Sequence, residues 1–187
     1  MSLGIVIKAP EGLVLAAESR VTLTTQQPSS IPIHVNFDNA TKLLSFSQPH
    51  NNVGVVTYGL AAIGLRTVHS YLPEFETILP NERITVEEFA NRLSTFIMQQ
   101  WNSEMPANYQ GPSMTLVIAG YDNNEPYGRV FVVDIPKNTV PVEQHPNAGD
   151  FGITWGGQRE FVDRLIQGRI AINPLFHQGF ALSFRHC

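Results

Sequence analysis

Residues 4–20 read GIVIKAPEGLVLAAESR, and this stretch decides the fold of the chain. Two apolar runs rich in β-branched residues flank Pro10-Glu11-Gly12, where Pro10 fixes φ and Gly12 adds backbone freedom. The pattern predicts a β-hairpin near the start of the chain. Its second strand ends on the polar sequence Glu18-Ser19-Arg20. Taken alone, that ending also fits an ordinary hairpin with a solvated polar end.

The bulk composition predicts one globular domain spanning residues 1–187. Hydrophobic residues make up 43% of the 187 positions and charged residues 15%, which suits a chain with a substantial core. A net charge of -4 argues against a large basic surface for nucleic acid. The single Cys187 cannot form an internal disulfide, and no apolar run reaches membrane-spanning length. We therefore expect a soluble, cytoplasmic protein without a nucleic-acid or membrane partner.

Strand signals recur along the rest of the chain. A segment with two prolines, residues 26–32, predicts a loop after the first hairpin. The following short runs are apolar or alternate in polarity, as strands do: residues 40–46, 53–59, 114–121, 129–135, 140–143 and 151–155.

Three segments have the signals of helices. The first is expected over residues 60–70, because Gly59 suits a strand-to-helix turn and Pro73 would limit the helix. The second begins at the capping box Thr85-Val86-Glu87-Glu88 and has apolar residues at helical spacing. The third covers residues 158–166. Strands, two helices, strands and a helix in this order predict an α+β domain in layers.

The chain resembles the proteasome branch of the N-terminal nucleophile (Ntn) hydrolases, and specifically proteasome β-type subunits. An N-terminal strand, a turn containing Gly12, an Ala-Ala-acid-Ser-Arg strand end and a strand-borne Lys42 carry the resemblance, which covers residues 4 to about 168. It implies a four-layer αββα sandwich of two antiparallel sheets. Residues 170–187 do not continue the family pattern, which leaves open whether the C-terminal part of the fold is incomplete or replaced.

The family's chemistry depends on the first residue of the mature chain. A Ser, Thr or Cys there attacks the carbonyl, and its own α-amine, with a reference pKa of about 8, serves as the base near neutral pH. A nearby cation keeps the proton affinity of that amine low and stabilises developing negative charge. Backbone N–H groups then stabilise the oxyanion.

Four residues of this chain match the family's catalytic positions. Removal of Met1 would expose Ser2 at the position of the nucleophile. Glu18 falls where the family has an aspartate that holds the lysine, and Lys42 matches the catalytic lysine. Gly59 matches the glycine whose N–H binds the oxyanion. By this resemblance Ser2, Glu18, Lys42 and Gly59 form the catalytic site.

Three further residues match the wall that binds the substrate, namely Val21, Thr22 and Thr57. Thr22 falls where the family pairs its backbone with an extended peptide, a form of strand addition. The resemblance therefore implies peptide or small amide substrates and a homo-oligomeric ring. It implies no metal or organic cofactor, and the six histidines show no metal-ligand spacing.

The sequence departs from the family pattern near the terminal amine. Glu stands in place of Asp at residue 18, the loop between Glu18 and Lys42 is longer than usual, and residues 155–158 lack the usual hydroxyl. Two functions follow from these observations. The leading one is a peptidase or amidohydrolase. It is favoured because the family's non-catalytic members carry a helix before the first strand, and this sequence shows none. The alternative is a catalytically silent structural subunit of a similar assembly.

Overall fold

The structure is a computed structural model that describes residues 2–25, 33–158, 160, 162–164 and 180–184. Its first eight strands are β1 (Leu3–Ala9), β2 (Gly12–Ala17), β3 (Val21–Thr25), β4 (Ile33–Phe37), β5 (Leu43–Ser45), β6 (Val53–Gly59), β7 (Ala62–Ile63) and β8 (Arg66–Thr67). Two helices, α1 (Val68–Ile78) and α2 (Val86–Glu104), come next. Five strands complete the described elements: β9 (Met114–Gly120), β10 (Arg129–Ile135), β11 (Asn138–Gln144), β12 (Phe151–Gly157) and β13 (Phe180–Phe184).

The predicted N-terminal hairpin is confirmed and forms half of a four-stranded antiparallel sheet. In β1 and β2, Gly4 pairs with Ala17 and Ala9 pairs with Gly12, so the turn lies at the predicted position. The sheet has the order β13-β12-β1-β2. Because β1 is a central strand, residue 2 lies at the end of a strand that is paired on both sides.

A second antiparallel sheet has the order β11-β10-β9-β6-β5. Each of its strands coincides with a predicted run, although the bounds of β5 and β11 differ by two or three residues at an end. Its central strands are buried on both faces, which explains their nearly continuous apolar sequence. Together with the helices, the two sheets make the protein a mixed α/β fold.

The two sheets pack face to face through a small apolar cluster. Val6 of the first sheet lies against Val56, Tyr58 and Val117 of the second. The Tyr58 ring fits closely against Gly156 of β12, where an added Cβ would lie 2.2 Å from a ring atom. The backbone of Gly156 can approach the Tyr58 ring this closely because glycine has no side chain.

One cation is buried elsewhere between the sheets. Lys8 of β1 is 4% exposed, and its Nζ donates a hydrogen bond of 2.7 Å to the backbone oxygen of His145. His145 is also buried and has a left-handed backbone, with φ of 53°. Burial, together with the charge of Lys8, lowers the pKa of His145.

The second sheet buries its other face against α1 and α2. Phe89, Leu93 and Ile97 of α2 join Leu116 and Ile118 of β9 in the larger of the two apolar clusters. The helix begins where the capping box predicts, because the Thr85 hydroxyl accepts a 3.1 Å hydrogen bond from the Glu88 N–H.

The helix expected over residues 60–70 is wrong. Strands β7 and β8 form a small hairpin there, with Gly64 in a left-handed turn conformation (φ 58°), and α1 begins only at Val68. Pro73 lies inside α1 and does not limit it. Proline at this position removes one bond to a residue in the first turn, and burial of Tyr71 and Phe75 on one face of the helix offsets that loss.

The long segment between Glu18 and Lys42 contains two strands that were not predicted. β3 and β4 pair as an antiparallel ribbon, from Val21 opposite Phe37 to Thr25 opposite Ile33. The loop predicted for residues 26–32 lies outside the described residues. The ribbon returns the chain to its starting point, so Glu18 and Lys42 lie at the same end of it.

The C-terminal region adds a strand that the sequence did not reveal. β13 pairs with β12, with Phe184 opposite Phe151. Of the helix expected over residues 158–166, residue 158 is a bend outside the helix, and residues 160 and 162–164 are helical. Within the described part of the chain, no helix is both long and apolar enough to cross a bilayer.

Candidate functional site

The backbone of residue 2 is fixed from two sides at the end of β1. Its carbonyl oxygen accepts a 2.6 Å hydrogen bond from the Gln158 N–H. The following amide, the Leu3 N–H, donates to Glu18 Oε1 at 3.3 Å. The Ser2 hydroxyl is thus held next to the end of β6, where the Gly59 N–H donates to Ser2 Oγ at 2.9 Å.

The Gly59 N–H is available for this contact because of strand periodicity. In β6, the Thr57 N–H points towards β5 and donates to the Lys42 carbonyl at 2.9 Å. Two residues later, the Gly59 N–H points the same way, beyond the end of the β5 ladder. On the opposite side, the Leu60 N–H donates to the Ser113 carbonyl at 2.9 Å. The end of β6 therefore presents one backbone donor to Ser2.

Lys42 and Glu18 form an ion pair beside Ser2, as the resemblance predicts. Lys42 is 7% exposed, and its Nζ donates to Glu18 Oε1 and to the Arg20 carbonyl. The other oxygen of Glu18 accepts from the Arg20 N–H. The longer side chain of Glu18 thus reaches the lysine although the family has aspartate here. A buried ammonium paired in this way has a fixed position.

A second ion pair closes the base of the β3–β4 ribbon. Arg20 Nε donates to Asp38 Oδ1 at 2.6 Å, and the Ala40 N–H donates to the Ser19 carbonyl at 2.9 Å. The hydrogen bond from Arg20 lowers the pKa of the Asp38 carboxyl. Since both side chains are exposed, the pair contributes little to stability. It does keep the two ends of the ribbon together, next to Glu18 and Lys42.

A small cavity opens between these residues. Ser2, Val21, Lys42, Thr57 and Gly59 line it, with Ala40, Thr41, Tyr58, Leu60, Ala61, Thr67 and Val68. Its volume is about 20 Å³, which is room for a single water molecule. Lys42 is the one charged residue among those in the wall, and its ammonium already has two acceptors. The cavity is therefore narrow and nearly neutral.

Five of the seven predicted site residues line this cavity, and a sixth, Glu18, is bonded to Lys42 in its wall. The seventh, Thr22, follows Val21 in β3 and pairs with Asn36 across the ribbon. Thr57 is buried, and its hydroxyl lies 3.5 Å from the Lys42 carbonyl. The convergence is informative because Ser2 and Gly59 are 57 positions apart in the chain.

Residues 155–158 approach Ser2 through the backbone. Gly157 has φ of 90°, and a Cβ there would lie 1.9 Å from the Ser2 carbonyl oxygen. Only glycine fits this contact, and residues 155–158 carry no hydroxyl side chain. A 3.0 Å hydrogen bond from Trp155 Nε1 to Asp163 Oδ1 attaches the helical residues that follow to β12.

Two residues of the site were missed by sequence reasoning. Gln158 binds the Ser2 carbonyl and Ser113 binds the Leu60 N–H, both through main-chain atoms. A main-chain contact leaves no preference for residue type, so no signal in the sequence could have indicated either one. Among the described residues, no group of three or more His, Cys, Asp or Glu side chains could hold a metal ion. Comparison with protein-family models and with curated proteins finds no match to this chain.

Proposed function

We propose that the protein is a serine-type N-terminal nucleophile hydrolase that cleaves peptide or other amide bonds. The observation that carries this proposal is the contact of Ser2 Oγ with the Gly59 N–H at 2.9 Å, beside the ion pair of buried Lys42 and half-buried Glu18. A hydroxyl, a backbone donor and a fixed cation in one cavity are the parts that acyl transfer needs.

The reaction begins once Met1 is removed and the α-amine of Ser2 is free. The amine takes the proton of the hydroxyl as Oγ attacks the substrate carbonyl carbon. The Gly59 N–H then donates to the oxyanion of the tetrahedral intermediate. Collapse of the intermediate breaks the amide bond, and the α-ammonium gives its proton to the leaving amine. Water, activated by the same α-amine, hydrolyses the remaining ester.

Lys42 supplies fixed positive charge during these steps. Its ammonium is held by Glu18 Oε1 and the Arg20 carbonyl, so it needs no reorganisation as negative charge develops on the substrate. Glu18 also accepts from the Leu3 N–H, which links the cation to the backbone that carries the nucleophile. Glu18 is thus a positioning residue for both Lys42 and Ser2.

The cavity favours substrates with a small, uncharged side chain next to the scissile bond. The cavity is narrow, and apart from Lys42 it is lined by apolar and hydroxyl-bearing residues. An extended peptide would reach the cavity by adding a strand beside β3, with Val21 and Thr22 as its neighbours.

The same proposal extends to fold and assembly. A four-layer αββα sandwich is supported by the bond from Trp155 to Asp163, which attaches helical residues to the four-stranded sheet. A homo-oligomeric ring in the cytoplasm follows from the resemblance to proteasome β-type subunits. No metal or organic cofactor has a role in the proposed reaction.

A second candidate function is a catalytically silent subunit of a similar assembly. The specific observation in its favour is the end of β12 at Gly157, which contacts the Ser2 carbonyl and presents no hydroxyl to the terminal amine. A nucleophile without that support would be present but poorly oriented. The two functions differ in one measurable property, the reactivity of Ser2.

Intact mass before and after incubation with a peptide epoxyketone tests this property directly. The reagent forms a ring with a hydroxyl and a free α-amine on the same residue. We expect a protein mass without Met1, followed by gain of one inhibitor located at Ser2. A protein that lacks Met1 and does not react would instead support the silent subunit.

Two variants make the result specific. Ser2→Ala keeps the chain length and removes the hydroxyl, and therefore must not gain the inhibitor. Ser19→Ala removes a hydroxyl from an exposed residue nearby and should react as the unaltered protein does. Inhibitor found on any residue other than Ser2 would contradict the site assignment.

A further inference from the structure

Ser113 holds the peptide unit that directly follows the proposed oxyanion donor. It lies immediately before β9, opposite Leu60, and its carbonyl accepts the Leu60 N–H at 2.9 Å. In the ladder between β6 and β9, Gly59 pairs with Met114, so this bond extends the ladder one residue past the strand. The bond fixes the far side of Gly59 and thereby aims the Gly59 N–H at Ser2.

The space at Gly59 depends on the same carbonyl. Gly59 has φ of 87°, and a Cβ there would lie 2.4 Å from the Ser113 oxygen. The backbone of Gly59 and the carbonyl of Ser113 are therefore in close contact. A shift of the Ser113 carbonyl by a fraction of an ångström would change the orientation of the Gly59 peptide.

Ser113 is itself held by a carboxylate on the neighbouring strand. Its Oγ donates to Asp134 Oδ2 at 3.2 Å, and Thr115 Oγ1 donates to Asp134 Oδ1 at 3.0 Å. Both hydroxyls belong to the start of β9 and the carboxylate belongs to the end of β10. Asp134 is half-buried, where hydrogen bonds to a charged acceptor are stronger than at the surface.

We propose that Asp134 and Ser113 are positioning residues for the Gly59 N–H. Asp134 fixes the hydroxyl of Ser113, the Ser113 carbonyl fixes Leu60, and the Gly59 donor is held in line with the oxyanion. We call the contacts that run from Asp134 through Ser113 to Leu60 the relay. Its effect on catalysis rests on the proposed function, whereas its effect on the position of the Gly59 N–H does not. Neither residue touches the substrate.

The test combines local amide exchange with kinetics on the full-length protein. Asp134→Ala should make the Leu60 amide exchange about tenfold faster, since it removes the acceptor that holds Ser113. Exchange of the Thr57 amide, which is bonded on the other side of β6, should stay unchanged. With a fluorogenic peptide as substrate, kcat should fall about tenfold to a hundredfold while KM changes less than about twofold.

Two further variants separate positioning from general stability. Asp134→Asn keeps an acceptor for Thr115 and a donor for Ser113 Oγ, so it should restore Leu60 protection and most of kcat. Ser94→Ala removes a buried hydroxyl that bonds the Thr139 carbonyl far from the site and should change neither quantity. Failure of Asp134→Asn to restore either quantity would overturn the relay.

The relay and the proposed function fail in different ways. Unchanged Leu60 exchange in Asp134→Ala, or equal acceleration throughout β9 and β10, would overturn the relay whatever the activity. If Leu60 exchange is altered in Asp134→Ala but the unaltered protein forms no adduct with the epoxyketone, the relay is supported and the proposed function is contradicted. The exchange measurement therefore gives a decision even without turnover.

Discussion

Lys42 is the residue whose replacement best separates catalysis from stability. Lys42→Ala should lower turnover by about 10²-fold or more, because it removes the fixed charge next to the nucleophile. The fold should remain, since β5 contributes to the sheet through its backbone and through Leu44. Turnover of a fluorogenic peptide and the far-ultraviolet circular dichroism spectrum measure the two effects.

Lys137→Ala is the matched control, because Lys137 is an exposed lysine in the turn between β10 and β11. It should leave turnover unchanged. Equal turnover of Lys42→Ala and the unaltered protein would disprove the role of Lys42. Loss of the circular dichroism signal in Lys42→Ala would show that the residue acts on the fold.

Sequence reasoning predicted the pairing of Glu18 with Lys42 and a backbone donor at Gly59, and it missed the main-chain contacts of Gln158 and Ser113. Glu18 and Lys42 were identified through the resemblance, which matches them to an acid and a lysine of the family's site. The role of Gly59 was inferred because a strand end with glycine can present an N–H. Ser113 and Gln158 act through backbone atoms that every residue has, so their positions depend on tertiary packing.

Among the elements, β1 and the segment after β11 form a buried polar contact with a predictable response to pH. The pKa of His145 is lowered, mainly by burial and then by the charge of Lys8, against an opposing effect of Asp150. As the pH falls through about 6.5, the pKa of a free histidine, the unfolded chain therefore binds more protons at this residue than the folded chain does. The free energy of unfolding should fall as the pH drops below that value.

Urea midpoints at pH 7.5 and pH 5.5 measure this response. In His145→Gln the fall between the two values should be smaller than in the unaltered protein. His69→Gln, in which an exposed histidine is replaced, should keep the full fall. Identical falls in all three proteins would contradict the assignment to His145.

Local signals predicted most elements, and long-range pairing decided the rest. The start of α2 was predictable because the Thr85 cap is a local feature. The position of α1 was not, because burial of Tyr71 and Phe75 outweighs the effect of Pro73. Strand β13 consists of only five residues and exists through its pairing with β12, which no local pattern reveals.

For the whole molecule, the ring that the resemblance implies predicts a mass larger than that of one chain. One chain has a mass of 20.8 kDa. Size-exclusion chromatography with light scattering should give a multiple of this value that is independent of protein concentration over the micromolar range. A particle of a single chain at all concentrations would count against the ring and leave the Ser2 site to be judged by its reactivity.

The fixed backbone at residue 2 also determines how the protein should be produced. Its carbonyl and the following amide are both bonded, so Ser2 has a fixed position in the wall of the cavity. Under the proposed mechanism, a purification tag in front of Ser2 would block the amine that serves as the base. Assays of activity therefore need a protein whose tag lies elsewhere, or one in which a protease leaves Ser2 as the first residue.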